Sequence, residues 1–275
     1  MIFSVMLAIT FASLALSITY LPDTGNINMK SPLAIFFVIT ILIALIVPMI
    51  FVFLFKELRI TRTRRGLPVT KIASSLLLVM VVVYEISDLI YIIKSFEHGF
   101  DAWRFVRFII SFLLIVHLVL EILPSKIEIP TIVKHTANAS FPLYTVLSVL
   151  VINFWGGAEP FAEYFEILFI ICYALVTLFL LFDFKWKIIS SNPKAYLALS
   201  SIAFVFASTI SVASLIGSIA RRDIFPPEQM FICILEMILI FTLSIYCLSK
   251  TLSVQATVAH IVELADEHKH SKGNN

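Results

Sequence analysis

Runs of about 20 apolar residues, the length that crosses a bilayer core as a helix, recur throughout the chain. They lie at 2–20, 32–55, 72–93, 104–122, 142–158, 163–183, 195–219 and 229–249. The pattern predicts an all-α polytopic transmembrane bundle of about eight spans. The fifth run is the weakest, being short and broken by Trp155-Gly156-Gly157. The connections are short and carry helix breakers: Pro22, Pro68, Pro124, Pro130, Pro160, Pro193 and the pair Pro226-Pro227. None is long enough to house a second folded domain. The chain therefore divides into a transmembrane bundle, 1–249, and a cytoplasmic tail, 250–275.

Composition supports lipid as the solvent. Hydrophobic residues make up 60%, charged residues 14%, and mean hydropathy is +1.01. A soluble domain has about 45–50% apolar and about 25% charged residues, because it must cover a wide wet surface. The net charge of +2 gives no hint of a nucleic-acid partner. The stretch from Met1 to Tyr20 has no basic residue and no small-residue cleavage site. A cleaved signal peptide usually has both, so this stretch reads as a retained first span.

Lys and Arg in short loops favour the cytoplasmic side. Lys56, Arg59, Arg62, Arg64, Arg65 and Lys71 follow the second run; Lys126 and Lys134 follow the fourth. Lys185, Lys187 and Lys194 follow the sixth, and Lys250, Lys269 and Lys272 lie in the tail. The opposite side receives only Lys30, Lys94, Arg104, Arg107, Arg221 and Arg222. The bias predicts both termini in the cytoplasm, as an even span count requires. Asn138-Ala139-Ser140 matches the glycosylation pattern, but this topology puts it in a cytoplasmic loop.

Ionisable residues inside apolar runs cost at least about 2.5 kcal/mol each and therefore face the bundle interior. Here they gather in one leaflet. Folding the third and fourth runs as a hairpin about 97–98 sets Asp88 opposite Arg107, with Glu85 one turn deeper. Glu85 and Asp88 are three apart, as are Arg104 and Arg107, so each pair shares a helix face. Glu166 and Glu236 fall at similar depth, and Arg221 and Arg222 cap the end of the seventh run. Glu236 has no partner on its own helix. The cluster admits two readings: a structural ion pair that fixes how two spans pack, or a ligand, ion or proton site open to the outside.

Other features carry less chemistry. His117 is the only histidine inside a run, so a bis-histidine haem is not expected; Glu121, one turn on, is its nearest candidate partner. The seventh run holds Ala203, Ala207 and Ser211 at four-residue spacing, then Ser214 and Ser218. Small residues at that spacing let helices approach closely. Gly is scarce, at 7 residues, and Pro48 is the clearest breaker inside a run, with Pro142 opening the fifth. This weighs against a transporter built on broken helices. Cys172, Cys233 and Cys247 have no metal spacing and read as apolar filler. In the tail, Val254, Val258, Ile261 and Ala265 make a short heptad seam, a candidate dimer or docking helix. His260, Glu263 and Glu267 share a face beside His268 and His270, but the spacing fits no standard metal motif, and residues 271–275 are expected to be disordered.

No motif names a reaction: there is no HExxH, no GxSxG and no histidine box. No metal, no cofactor and no enzymatic activity are expected. The layout of a multi-span bundle followed by a cytoplasmic helix resembles that of membrane-embedded sensor modules. Those modules usually lead into a kinase or cyclase domain, which so short a tail cannot form, so the output would pass to a partner protein. The expected function is a non-enzymatic sensor or interaction module in a prokaryotic plasma membrane. Its candidate site is Glu85, Asp88, Arg104, Arg107, Glu166 and Glu236. The alternative is an ion- or proton-coupled transporter or channel using the carboxylates. The expected partners are the lipid bilayer, a protein at the tail and a second copy of the chain.

Overall fold

Six helices make up the described part of the molecule. They are α1 (Pro68–Ser95), α2 (Ala102–Ile122), α3 (Thr131–Asn153), α4 (Glu163–Ile188), α5 (Pro193–Ala220) and α6 (Phe231–Ser253). The computed structural model describes these helices, their flanks at 101, 123 and 129–130, and isolated positions between 39 and 50. Side chains at 95, 153, 163–168, 186–188, 193–194, 213 and 216–220 lie outside the description. Among the described residues there is no strand. Among the described residues, α1, α2, α3, α5 and α6 contain stretches long and apolar enough to cross a bilayer. The protein is a multi-pass helical membrane bundle.

The helix ends follow from local chemistry. Pro68 opens α1 and Pro193 opens α5, where a missing N–H removes nothing from the helix. Asp101 caps α2, accepting the Arg104 backbone N–H at 3.1 Å. In α3 the Lys134 N–H closes the first turn on the Pro130 carbonyl at 3.2 Å.

Two sequence expectations change in α3. The helix begins at Thr131, not near 142, so it has 23 residues and enough length to cross. Pro142 thus lies inside the helix rather than opening it. It has no N–H to offer the carbonyl four residues back, and Thr145 Oγ1 bonds the Pro142 carbonyl at 2.9 Å. Asn138-Ala139-Ser140 is helical, with Ser140 buried, which removes the loop that a glycosylation site needs. At the other end of the chain, α6 runs past the expected boundary at 249 to Ser253, and Lys250 is buried.

Consecutive helices from α1 to α5 pack as neighbours. Side-chain contacts place α6 against all five. It reaches Tyr84 on α1, Glu121 on α2, Phe141 on α3, Tyr173 on α4 and Ser200 on α5. Burial separates a centre from a periphery. The apolar stretch of α5 is 83% buried, against 33% for α1 and 28% for α2.

The distribution of polarity in the peripheral pair is inverted relative to a soluble protein. The buried stripe of α2 is Arg104, Arg107, Ser111, Leu114, His117 and Leu118. Its exposed face carries Phe105, Ile109, Phe112 and Val116. Helix α1 likewise buries Ser74, Glu85 and Asp88 while exposing Ile72, Val79, Ile86 and Ile90. Ile39, Leu42, Ile43, Ile46, Met49 and Ile50 are helical and exposed at the same three- and four-residue spacing. Charges inside and isoleucines outside is the arrangement stable in hydrocarbon.

Candidate functional site

The polar interior divides into two layers. Ser74 and Asp88 on α1, Arg107 and Glu121 on α2, and Glu236 and Lys250 on α6 are pairs 14 residues apart. Fourteen residues span about 21 Å of helix and return close to the same face. Each of these helices therefore contributes to both layers from one stripe.

The first layer surrounds Arg107, which has no exposed surface. Its Nη2 donates to Asp88 Oδ2 and, at 3.0 Å, to the Tyr84 hydroxyl. The guanidinium also lies 4.9 Å from the Tyr84 ring centroid and 6.0 Å from that of Tyr144, within cation–π range. Tyr84 passes the polarity on: with Arg107 at its oxygen, its O–H donates to Glu236 Oε2. Tyr173 donates to Glu236 Oε1. A chain of hydrogen bonds thus runs Asp88–Arg107–Tyr84–Glu236–Tyr173 across four helices. Glu85 joins from the side, its Oε1 accepting the Tyr144 hydroxyl at 2.9 Å. Its Oε2 is buried and has no hydrogen-bond partner.

Arg104 lies one turn nearer the start of α2. Its Nε is 3.9 Å from Asp88 and 3.7 Å from Asp101, and its guanidinium covers the Tyr91 ring at 3.8 Å. Asp101 holds Arg104 twice, as helix cap and as counter-charge.

The second layer gathers on Glu121. It accepts from Lys250 at 2.8 Å, Ser74 at 2.9 Å and Tyr246 at 3.1 Å. His117 Nε2 approaches the same carboxylate to 3.7 Å, longer than the hydrogen bond the spacing suggests. Nearby, Tyr196 bonds Asp183 at 2.8 Å and Thr251 bonds Ser200 at 2.8 Å. Between the layers the three helices meet through Leu77, Val81, Leu114, Leu239 and Leu243, each at most 1% exposed.

Of the six residues singled out in the sequence, the structure brings together Glu85, Asp88, Arg104, Arg107 and Glu236. Glu166 is on α4, with its side chain outside the described residues. Arg221, Arg222 and the tail from 254 also lie outside them. The tyrosines were missed, as was the Lys250–Glu121 layer. Tyr84 is adjacent to Glu85 in sequence, which was the one available signal. In α5, Ala203, Ala207, Ser211 and Ser214 are all buried, and Ser218 has no described side chain. Ser200, Ser208, Thr209 and Ser211 bond carbonyls of their own helix, which suits close packing better than a hydroxyl-lined path. Cys172, Cys233 and Cys247 are buried free thiols. Among the described residues no three metal-ligating side chains converge. No protein-family model, curated protein or solved structure matches the chain.

Proposed function

We propose that this protein is a non-enzymatic membrane sensor or assembly module. In this reading it has about eight spans, keeps both termini in the cytoplasm of a prokaryotic cell and lies in the plasma membrane. The Arg107 layer faces outward and receives the stimulus. The Glu121 layer faces inward, and α6 carries the response to the tail and its protein partner, in a monomer or a dimer.

The observation that carries this reading is the double engagement of α6. One helix holds Glu236 in the first layer and Lys250 in the second, and it touches each of α1 to α5. A shift that changes the hydrogen bonds of Glu236 moves a rigid rod whose far end is clamped to Glu121. The tyrosine-linked chain favours the second reading, a proton- or ion-coupled transporter. The apolar band between the layers weighs against it, because ions need polar groups at successive depths.

Spin labels on Ile122→Cys and Leu252→Cys test the proposal, the three native thiols being buried. Glu236→Gln should change the distance distribution between the labels in lipid nanodiscs. An unchanged distribution, or proton flux in proteoliposomes that Glu236→Gln abolishes, overturns the sensor reading.

A further inference from the structure

The charge balance of the first layer is uneven. Its buried acids are Glu85, Asp88 and Glu236; its buried bases are Arg104 and Arg107, all at 5% exposure or less. Among the described residues the layer therefore holds one more acid than base. Asp101, at 22% exposure, adds a further acid at the rim. An uncompensated buried charge is expensive, and the group neutralises instead when it can. One positive charge is the natural complement.

The hydrogen bonds indicate where it goes. Asp88 contacts both arginines. Glu236 accepts a tyrosine hydroxyl on each oxygen, so both of its oxygens are partnered. Glu85 Oε1 accepts the Tyr144 hydroxyl, while Oε2 is buried and receives no hydrogen bond, the nearby Ser111 hydroxyl being given to the Phe108 carbonyl at 2.7 Å. A divalent metal ion is usually held by several carboxylate or imidazole groups, and no three Asp, Glu, His or Cys side chains converge among the described residues. A proton needs one.

We propose that Glu85 is a proton-binding site, its Oε2 carrying the proton that neutralises the layer. The proposal rests on the sensor reading and deepens it by naming the stimulus at the Arg107 layer as proton uptake. Arg107 and Asp88 act on Glu85 most directly, with Tyr144 and Ser111 as its hydrogen-bonding neighbours; the charged and titratable groups of the layer come from five helices. Tyr84 and Asp88 are on α1, Arg104 and Arg107 on α2, Tyr144 on α3, Tyr173 on α4 and Glu236 on α6. Tyr196, the described titratable side chain of α5, is bonded to Asp183 in the other layer.

The test is infrared difference spectroscopy of the full chain in nanodiscs, following the carbonyl stretch of a protonated carboxyl group as pH is raised. The expected result is one such band that disappears with rising pH and is lost at every pH in Glu85→Gln. Asp88→Asn should shift its midpoint to lower pH by at least about one unit, because it removes the negative charge that acts on Glu85. Glu85→Asp keeps the carboxyl group, so a shifted band there supports the assignment even if Glu85→Gln fails to fold. The proposal is overturned by a band that survives Glu85→Gln, by a midpoint that Asp88→Asn raises or leaves unchanged, or by a band that sodium ions abolish at constant pH. The last outcome would assign the charge to a monovalent metal ion. A missing band with spin labels that still respond to Glu236→Gln sinks the proton site alone. A band that behaves as expected with unresponsive labels sinks the sensor reading alone.

Discussion

Arg107 packs against a carboxylate, a hydroxyl and two aromatic faces with none of its surface exposed. Removing one member of such a pair strands the other, at about 3–5 kcal/mol. Asp88→Asn and Arg107→Met should each lower the melting temperature in detergent, Arg107→Met by more, since it also loses the Tyr84 contact. Exchanging the charges, Asp88→Arg with Arg107→Asp, should recover part of the loss. A double variant no better than either single one would mean that the pair does not hold α1 to α2. This pairing was legible in the sequence, because a short hairpin fixes which residues lie opposite. The partners of Glu236 were not legible. Tyr84 is 152 residues away and Tyr173 is 63, and periodicity gives the buried face of a helix without saying which helix it meets.

At the scale of the helix, α6 behaves as a rod fastened at two points. Hydrogen bonds to charged groups contribute about 1.5–3 kcal/mol each. Glu121→Gln weakens those from Lys250 and Tyr246 together, so amide exchange over 246–253 should quicken at least about tenfold. Unchanged protection there would mean that the end of α6 is held by apolar packing alone. The helices themselves could be read from hydropathy, but the start of α3 could not. Residues 131–141 include Lys134, His135, Thr136 and Asn138, which look like a loop when averaged. In the bundle they form the first turns of a helix, with Ala137, Ser140 and Phe141 turned inward. A stripe of three suffices when neighbouring helices supply the rest of the surface.

For the molecule as a whole, the surroundings decide what counts as a core. Ile86 and Ile90 are exposed while Glu85 and Asp88, their neighbours in sequence, are buried. Ile86→Asp should therefore be among the costly substitutions, at about 2.5–3.5 kcal/mol for a charge at the lipid face, and Ile86→Leu close to neutral. Yield of folded, membrane-inserted protein compares the two; equal yields would place that face against protein instead of lipid. Composition alone made the membrane legible. The arrangement of charge into two layers was not, because it depends on three helices meeting in register.

The two layers also differ in when they close. Asp88 and Arg107 are 19 residues apart, and Glu121 and Lys250 are 129 apart. At a synthesis rate of about 5–20 residues per second, the first pair is complete about 1–4 s after Asp88 is made. Lys250 follows Glu121 by about 6–26 s at the same rate. Through that interval Lys250 and Tyr246 are still to be made, while Ser74 and His117 are already in place beside Glu121. The hairpin of α1 and α2 enters the membrane with its own ion pair in hand, and the far layer waits for the last described helix to lock it.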